Sequence, residues 1–211
     1  MKSEPSELPI VSAIILAAGA SRRMGQPKML LPWGNMVVIE KVVLTLLEGG
    51  ISQPVIVTGR SDEEIRKIFK ASPVIWAHNP EFETTEMLQS LQIGLRRLPE
   101  NASAFMIVLG DQPQIESVVI RQLIAEFIAN RQKIIIPSYR FRRGHPWLVS
   151  IQLLPDLLAL PEDATLRHFL NTHTELISYL NVDSSSVLMD LDTPAEYEQQ
   201  KPASTGKLDE H

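Results

Sequence analysis

Cysteine is absent from the 211 residues, which rules out disulfides, thiolate metal sites and a cysteine nucleophile. Its absence fits a reducing compartment. No apolar run approaches the ~20 residues needed to span a bilayer. The opening MKSEPSELP has two glutamates and no apolar core, so it is not a secretory signal. These absences set the expectation of a soluble, cytoplasmic protein with no membrane partner. Positive charge is not in excess either: the net charge of −5 argues against a nucleic-acid partner. Several catalytic signatures are missing as well. There is no G-x-x-x-x-G-K-[ST] P-loop and no G-x-G-x-x-G dinucleotide fingerprint. His78, His145, His168, His173 and His211 show no metal-ligand spacing. No G-x-S-x-G nucleophile elbow occurs. No internal repeat and no Gly- or Ser-rich linker divides the chain.

What is present begins with ordinary globular composition, 44% hydrophobic and 21% charged. The length accommodates one good-sized domain, expected over 10–199, after a flexible leader at 1–9 and before a disordered tail at 200–211. Residues 10–31, IVSAIILAAGASRRMGQPKMLL, stand out. The apolar run 10–18 reads as a buried strand. The loop after it holds Gly19, Gly25, Arg22, Arg23 and Lys28. Glycines let backbone N–H groups approach anionic oxygens and the cations neutralise charge, so this is a candidate phosphate cradle.

Further along, apolar strands are expected at 54–58, 73–77, 104–109 and 134–136. Helices are expected at 36–47, 62–70 (with Ser61 as its N-cap), 85–98 and 115–130. This alternation implies βαβ units: an α/β, Rossmann-like, mostly parallel sheet with helices on both faces. Ligands in such sheets bind beyond the carboxyl ends of the strands. The opening loop, Thr58-Gly59, the loop after His78 and Gly110-Asp111 should therefore share one rim. The basic and aromatic stretch 138–149 breaks the alternation and reads as a small hairpin or flap with Gly144 at its tip. Two further helices are expected near 152–160 and 164–171, and a strand near 176–182. A last helix at 194–199 should be capped by Thr193, with Pro194 in its first position.

Asp111 directly follows a strand and could hold Mg²⁺ or cap the next helix. Asp190 and Asp192 alternate in MDLDTP, so both project from one face of an extended segment. Arg140, Arg142, Arg143 and His145 could grip an anion or form a solvated hairpin face. Ser90 could hydrogen-bond a ligand or lie inert on its helix.

Together, LAAGASRRMGQPKMLLP, GDQP, GHPWLV and DLDTPAEY resemble the nucleotidyltransferases of the molybdenum cofactor cytidylyltransferase type, across roughly 10–199. The resemblance implies a Rossmann-like fold and Mg²⁺-dependent transfer of CMP from CTP to a phosphate-bearing acceptor, with release of pyrophosphate. Molybdopterin is the acceptor implied, and a client molybdoenzyme a further partner. By similarity Arg23 and Lys28 contact the triphosphate and, with Asp111, form the catalytic set. Leu16, Ala17, Ala18 and Gly19 line the nucleotide pocket, and Thr58, Gly59 and Ser90 lie near base and ribose. Asp111 and Asp192 match the metal-side aspartates. Arg142, Gly144, His145 and Pro146 match the acceptor side. Alanine at position 18, where GTP-using relatives have glycine, goes with CTP. Many relatives carry GDxGAR where this chain reads LPEDATLRHFL, with Arg167 in place of that arginine. That departure leaves the acceptor's identity open. Two rivals stand beside this reading: a nucleotidyltransferase for another acceptor or NTP, and a non-catalytic protein that carries a cofactor to molybdoenzymes.

Overall fold

The computed structural model describes residues 9–19, 21 and 23–203. The leader, apart from Pro9, and the tail beyond residue 203 lie outside the described residues, as does Arg22. The chain runs β1 (Ile10–Ala17), β2 (Pro32–Trp33), β3 (Met36–Val37), α1 (Val38–Glu48), β4 (Val55–Thr58), α2 (Asp62–Ile68) and β5 (Ile75–His78). It continues with α3 (Met87–Leu95), β6 (Ala102–Leu109), α4 (Ser117–Asn130), β7 (Ile134–Tyr139), β8 (Arg142–Arg143) and β9 (Trp147–Ser150). It ends with α5 (Leu154–Leu158), α6 (Leu166–Thr172), β10 (Ile177–Asn181) and α7 (Pro194–Gln200), so α7 runs into the first residue of the expected tail.

Eight strands form one sheet, in the order β10-β7-β9-β6-β1-β4-β5 with β8 on β7. Neighbours pair in parallel except where β9 meets β6 and β7, and β8 meets β7. The fold is therefore α/β with a mostly parallel sheet, as the alternation implied. Side chains along β1 divide by parity, as pleating requires. Ala13 and Ile15 face Ile39, Val42 and Leu46 of α1 and Val119 and Leu123 of α4. Ile14 and Leu16 face Leu88, Leu91 and Leu95 of α3 and Phe169 of α6. Both faces are dry, which is why the strands read as continuous apolar runs.

From β1 the chain winds outward through β4 to β5, then crosses back to place β6 on the other side of β1. This reversal opens a crevice between the ends of β1 and β6, the place where such sheets bind ligands. The two strands end level: Leu16 pairs with Leu109, and Gly110 N–H donates to Leu16 O at 3.1 Å.

Some boundaries differ from expectation. Met36 and Val37 pair with Pro32 and Trp33 before α1 begins. Ser61 occupies the N-cap position of α2, yet its hydroxyl makes no cap hydrogen bond; Asp62, Glu63 and Glu64 supply negative charge to the first turn instead. Of the expected hairpin or flap, β7 and β8 form the hairpin, but Gly144 is not at its tip. Trp147–Ser150 is a buried strand inside the sheet, its Trp147 and Val149 on one core face and Leu148 on the other. The hairpin turns at Arg140 and Phe141, both at positive φ, with Phe141 99% exposed. Gly144 is buried against Val187, where a Cβ would come within 2.5 Å of the Val187 carbonyl.

Gly94 sets how closely α3 lies on the sheet. A Cβ there would fall 2.5 Å from Ile14 Cγ2 and 2.7 Å from Val57 Cγ2, both branched side chains fixed in strands. Gly94→Ala should destabilise the fold by about 1–3 kcal/mol through overpacking, despite alanine's better helix propensity. Urea unfolding measures this, and a stabilised variant would contradict the packing described.

Candidate nucleotide and metal site

The site assembles on a satellite core. After β1 the chain leaves the sheet at Gly19, turns with Ser21 and Gly25 at positive φ, and returns through a single 3₁₀ turn, Lys28–Leu30. Met24 N–H donates to Ser21 O at 3.0 Å, and Lys28 N–H to Ser21 Oγ at 3.2 Å. Met24, Leu31, Trp33 and Val38 bury themselves with Leu191 and Tyr197 from the far end of the chain. Tyr197 Oη closes the cluster by donating to Pro32 O at 2.6 Å. The basic loop is thus bolted to the segment that carries Asp190 and Asp192.

That segment is itself clamped. Thr193 Oγ accepts from Glu196 N–H, and Glu196 Oε2 accepts from the N–H groups of Asp192 and Thr193 at 3.1 and 2.8 Å. This is the expected capping of α7, with Pro194 in its first position. Leu191 is fully buried, so Asp190 and Asp192 on either side of it both point into the crevice, as alternation implied.

The centre is Lys28. It is buried, and its Nζ donates to Asp111 Oδ2 at 3.0 Å and to Asp192 Oδ1 at 2.7 Å. Arg23, largely exposed, donates from Nη1 to the other oxygen of Asp192 at 2.6 Å. Burial disfavours the Lys28 ammonium, but hydrogen bonds and charge from Asp192 and Asp111 outweigh it and hold its pKa above the usual lysine value. The hydrogen bond from Lys28, helped by the charges of Lys28 and Arg23, keeps the Asp192 carboxyl below its ordinary range. Asp190 shifts the opposite way: burial first, then the charges of Asp192 and Asp111, push its carboxyl up.

A divalent cation fits this donor set. Two carboxylates, Asp111 and Asp192, meet at Lys28 and offer hard oxygen donors, and Asp190 lines the same cavity. Among the described residues no group of three or more acidic or histidine side chains is placed to hold a metal ion, so phosphates and water would complete the coordination around two carboxylates.

Leu16, Ala18, Gly19, Arg23, Lys28, Ser90, Asp111 and Asp192 all line one cavity of about 660 Å³. Other marked residues do not. Ala17 faces the α1/α4 core. Thr58 is fully buried, its hydroxyl spent on Asp62 and on Ala77 O. Gly59 sits behind the wall: a Cβ there would strike Ala18 O at 2.6 Å and Phe82 Cβ at 2.8 Å. Ser90 is positioned by Asn79, whose Nδ2 donates to its hydroxyl at 3.0 Å. Arg142 is exposed on the hairpin and does not line the cavity, nor do Gly144, His145 and Pro146. Gly144 and His145 pack on the segment that leads to Asp190, His145 N–H donating to Val187 O at 2.9 Å. Arg167 is exposed on α6, away from the cavity lining.

Sequence reasoning missed 82–87, which forms an entire wall with Phe82, Glu83, Thr84, Thr85, Glu86 and Met87. The rule that loops after strands converge on one rim marked this loop, but no residue type singled out its members.

His145 does not act as a cation of the basic hairpin. Stacked on Trp147 at 4.7 Å, it is held by burial to a pKa of about 4 and is neutral at pH 7. The unfolded chain protonates this imidazole near ~6.5 and the folded chain does not. Stability is therefore full above ~6.5 and falls as pH drops toward about 4, by up to ~1.4 kcal/mol per pH unit for this one proton. Urea unfolding at pH 7.5, 5.5 and 4.5 should show that decline, and His145→Gln should flatten it by one proton. An unchanged slope would contradict the buried neutral state.

Three relatives place this geometry among known proteins. The chain is 28% identical over 200 residues to nicotine blue oxidoreductase of Paenarthrobacter nicotinovorans, covering 89% of this chain and 95% of that protein. It is 25% identical over 190 residues to molybdenum cofactor cytidylyltransferase of Escherichia coli, covering 89% and 93%. The crystal structure of Rv0371c from Mycobacterium tuberculosis superimposes with a TM-score of 0.77 at 26% identity, covering 90% of this chain and 97% of that one. No helix among the described residues is long and apolar enough to cross a membrane. Residues 13–176 match the family model of the MobA-like NTP transferase domain, which takes in β1 from Ala13 onward, the basic loop and Asp111, and the chain belongs to that family of nucleotidyltransferases.

Proposed function

We propose that the protein transfers CMP from CTP to a phosphate monoester, molybdopterin by similarity, in a Mg²⁺-dependent reaction that releases pyrophosphate. One observation carries the reading: Lys28, buried, faces Asp111 and Asp192 at the crevice between β1 and β6. Transfer between two phosphates needs cations for the polyphosphate and carboxylates for its counter-ion, side by side. Similarity to the E. coli cytidylyltransferase and alanine at position 18 support CTP as donor.

In this scheme an acceptor phosphate oxygen, already ionised at neutral pH, attacks the α-phosphorus. The bond between the α-phosphorus and the bridging oxygen breaks, and pyrophosphate leaves with the electron pair. No general base is required, so positioning and charge neutralisation account for the rate. Lys28 and Arg23 would hold the triphosphate and offset charge building on the leaving pyrophosphate. Asp111 and Asp192 would hold the divalent cation, which when bound supplies Lewis-acid polarisation of the phosphates. Ala18, Gly19 and Ser90 would receive base and ribose against the wall at 82–87. Gly144 and His145, braced on Val187, would with Pro146 support the acceptor side beside Asp190.

Hydride transfer with a dinucleotide is the weaker reading, despite the oxidoreductase relative. The loop after β1 lacks the G-x-G-x-x-G spacing on which a dinucleotide's pyrophosphate rests. A non-catalytic carrier would need neither the Lys28 cation nor a metal-side carboxylate.

Pyrophosphate release with CTP, GTP, UTP or ATP, Mg²⁺ and a panel of phosphorylated acceptors tests the proposal. CTP with molybdopterin should give the fastest release. Lys28→Ala and Asp111→Ala should each lower turnover about 10²–10³-fold. Intact turnover in either variant would contradict its assigned role.

A further inference from the structure

We infer that Lys28 is a latch: without nucleotide, its ammonium holds the place between Asp111 and Asp192 that a divalent cation would take, so latch and metal exclude each other. The inference rests on the reading of Asp111 and Asp192 as metal-side carboxylates.

The geometry is direct. Lys28 Nζ lies 3.0 Å from Asp111 Oδ2 and 2.7 Å from Asp192 Oδ1. Mg²⁺ sits about 2.0–2.1 Å from its oxygen ligands. A metal held by those same two oxygens would compete with the ammonium for them. Arg23 takes the remaining oxygen of Asp192 at 2.6 Å. Three of the four oxygens on the two carboxylates are thus engaged by cations of the chain itself.

Neither half of the exchange is favourable alone. Withdrawing the ammonium without replacement leaves Asp111 and Asp192, only 21% and 36% exposed, repelling each other and Asp190. Inserting the metal with the ammonium in place sets two cations in contact. A triphosphate resolves both, because its oxygens receive Lys28 and Arg23 while the freed carboxylates receive the metal. Metal alone should therefore bind weakly, and removal of the latch should strengthen it. Lys28 then has two stations, on the carboxylates in the resting protein and on the phosphates during turnover.

The test is Mn²⁺ binding to the full-length chain without nucleotide, read from the free-Mn²⁺ signal in electron paramagnetic resonance. Lys28→Met should bind Mn²⁺ at least about tenfold more tightly than wild type. Mn²⁺ should also raise its melting temperature by more than wild type's. Adding Asp111→Asn should remove the gain. If Lys28→Met binds no more tightly than wild type, and Asp111→Asn still abolishes what binding there is, the latch is overturned while the metal site stands. Binding indifferent to Asp111 and Asp192 overturns both. Should Lys28→Met fail to fold unaided, recovery of its circular dichroism on adding Mn²⁺ supports the exchange, and no recovery overturns it.

Discussion

Burying an ammonium group is the constraint on which the rest of this structure depends. Lys28 can stay charged in the crevice only because Asp111 and Asp192 meet it there, and those residues come from three distant parts of the chain. Asp111 arrives at the end of β6, Asp192 in the approach to α7, and Lys28 in the loop after β1. The winding that brings the ends of β1 and β6 level is what makes the first of these contacts available. A one-residue slip between the two strands would turn the side chains onto the wrong faces and separate the charges.

The second contact depends on the satellite core. Met24, Trp33, Leu191 and Tyr197 do little for the main sheet, but they dock the terminal helix on the basic loop. Glu196 then fixes the backbone at Asp192 and Thr193. The division of labour is clear: the large two-faced core holds the sheet, and the small core holds the charges in register. Asp190 shows the consequence. It shares the crevice, where burial first and then the charges of Asp192 and Asp111 raise its pKa.

Much of this was legible in the sequence, and for identifiable reasons. β1, β4 and β6 are covered on both faces and read as apolar runs, and from their alternation with helices the parallel sheet and shared rim follow. Asp111 and the basic loop were visible because charge directly after a buried strand is unusual. Strand-end position does not distinguish a Thr58 hydroxyl that faces the cavity from one turned back to Asp62 and Ala77, as it is here. Gly144 has the composition of a turn residue, but its small size serves close contact with Val187, a partner 43 residues away in sequence. His145 follows arginines in sequence, but its ring lies inside, stacked on Trp147. The wall at 82–87 has ordinary composition, and only the fold reveals where it stands. Local chemistry was readable; contacts made by tertiary packing were not.

The central claim is that this crevice moves the α-phosphorus of a nucleotide from pyrophosphate to an acceptor phosphate. Following the label of CTP radiolabelled at the α-phosphorus is the most direct measurement. With divalent cation and molybdopterin present, the account predicts that the label passes into the acceptor while pyrophosphate leaves unlabelled. Label that remains in CTP, or appears as free CMP whether or not acceptor is present, would contradict it.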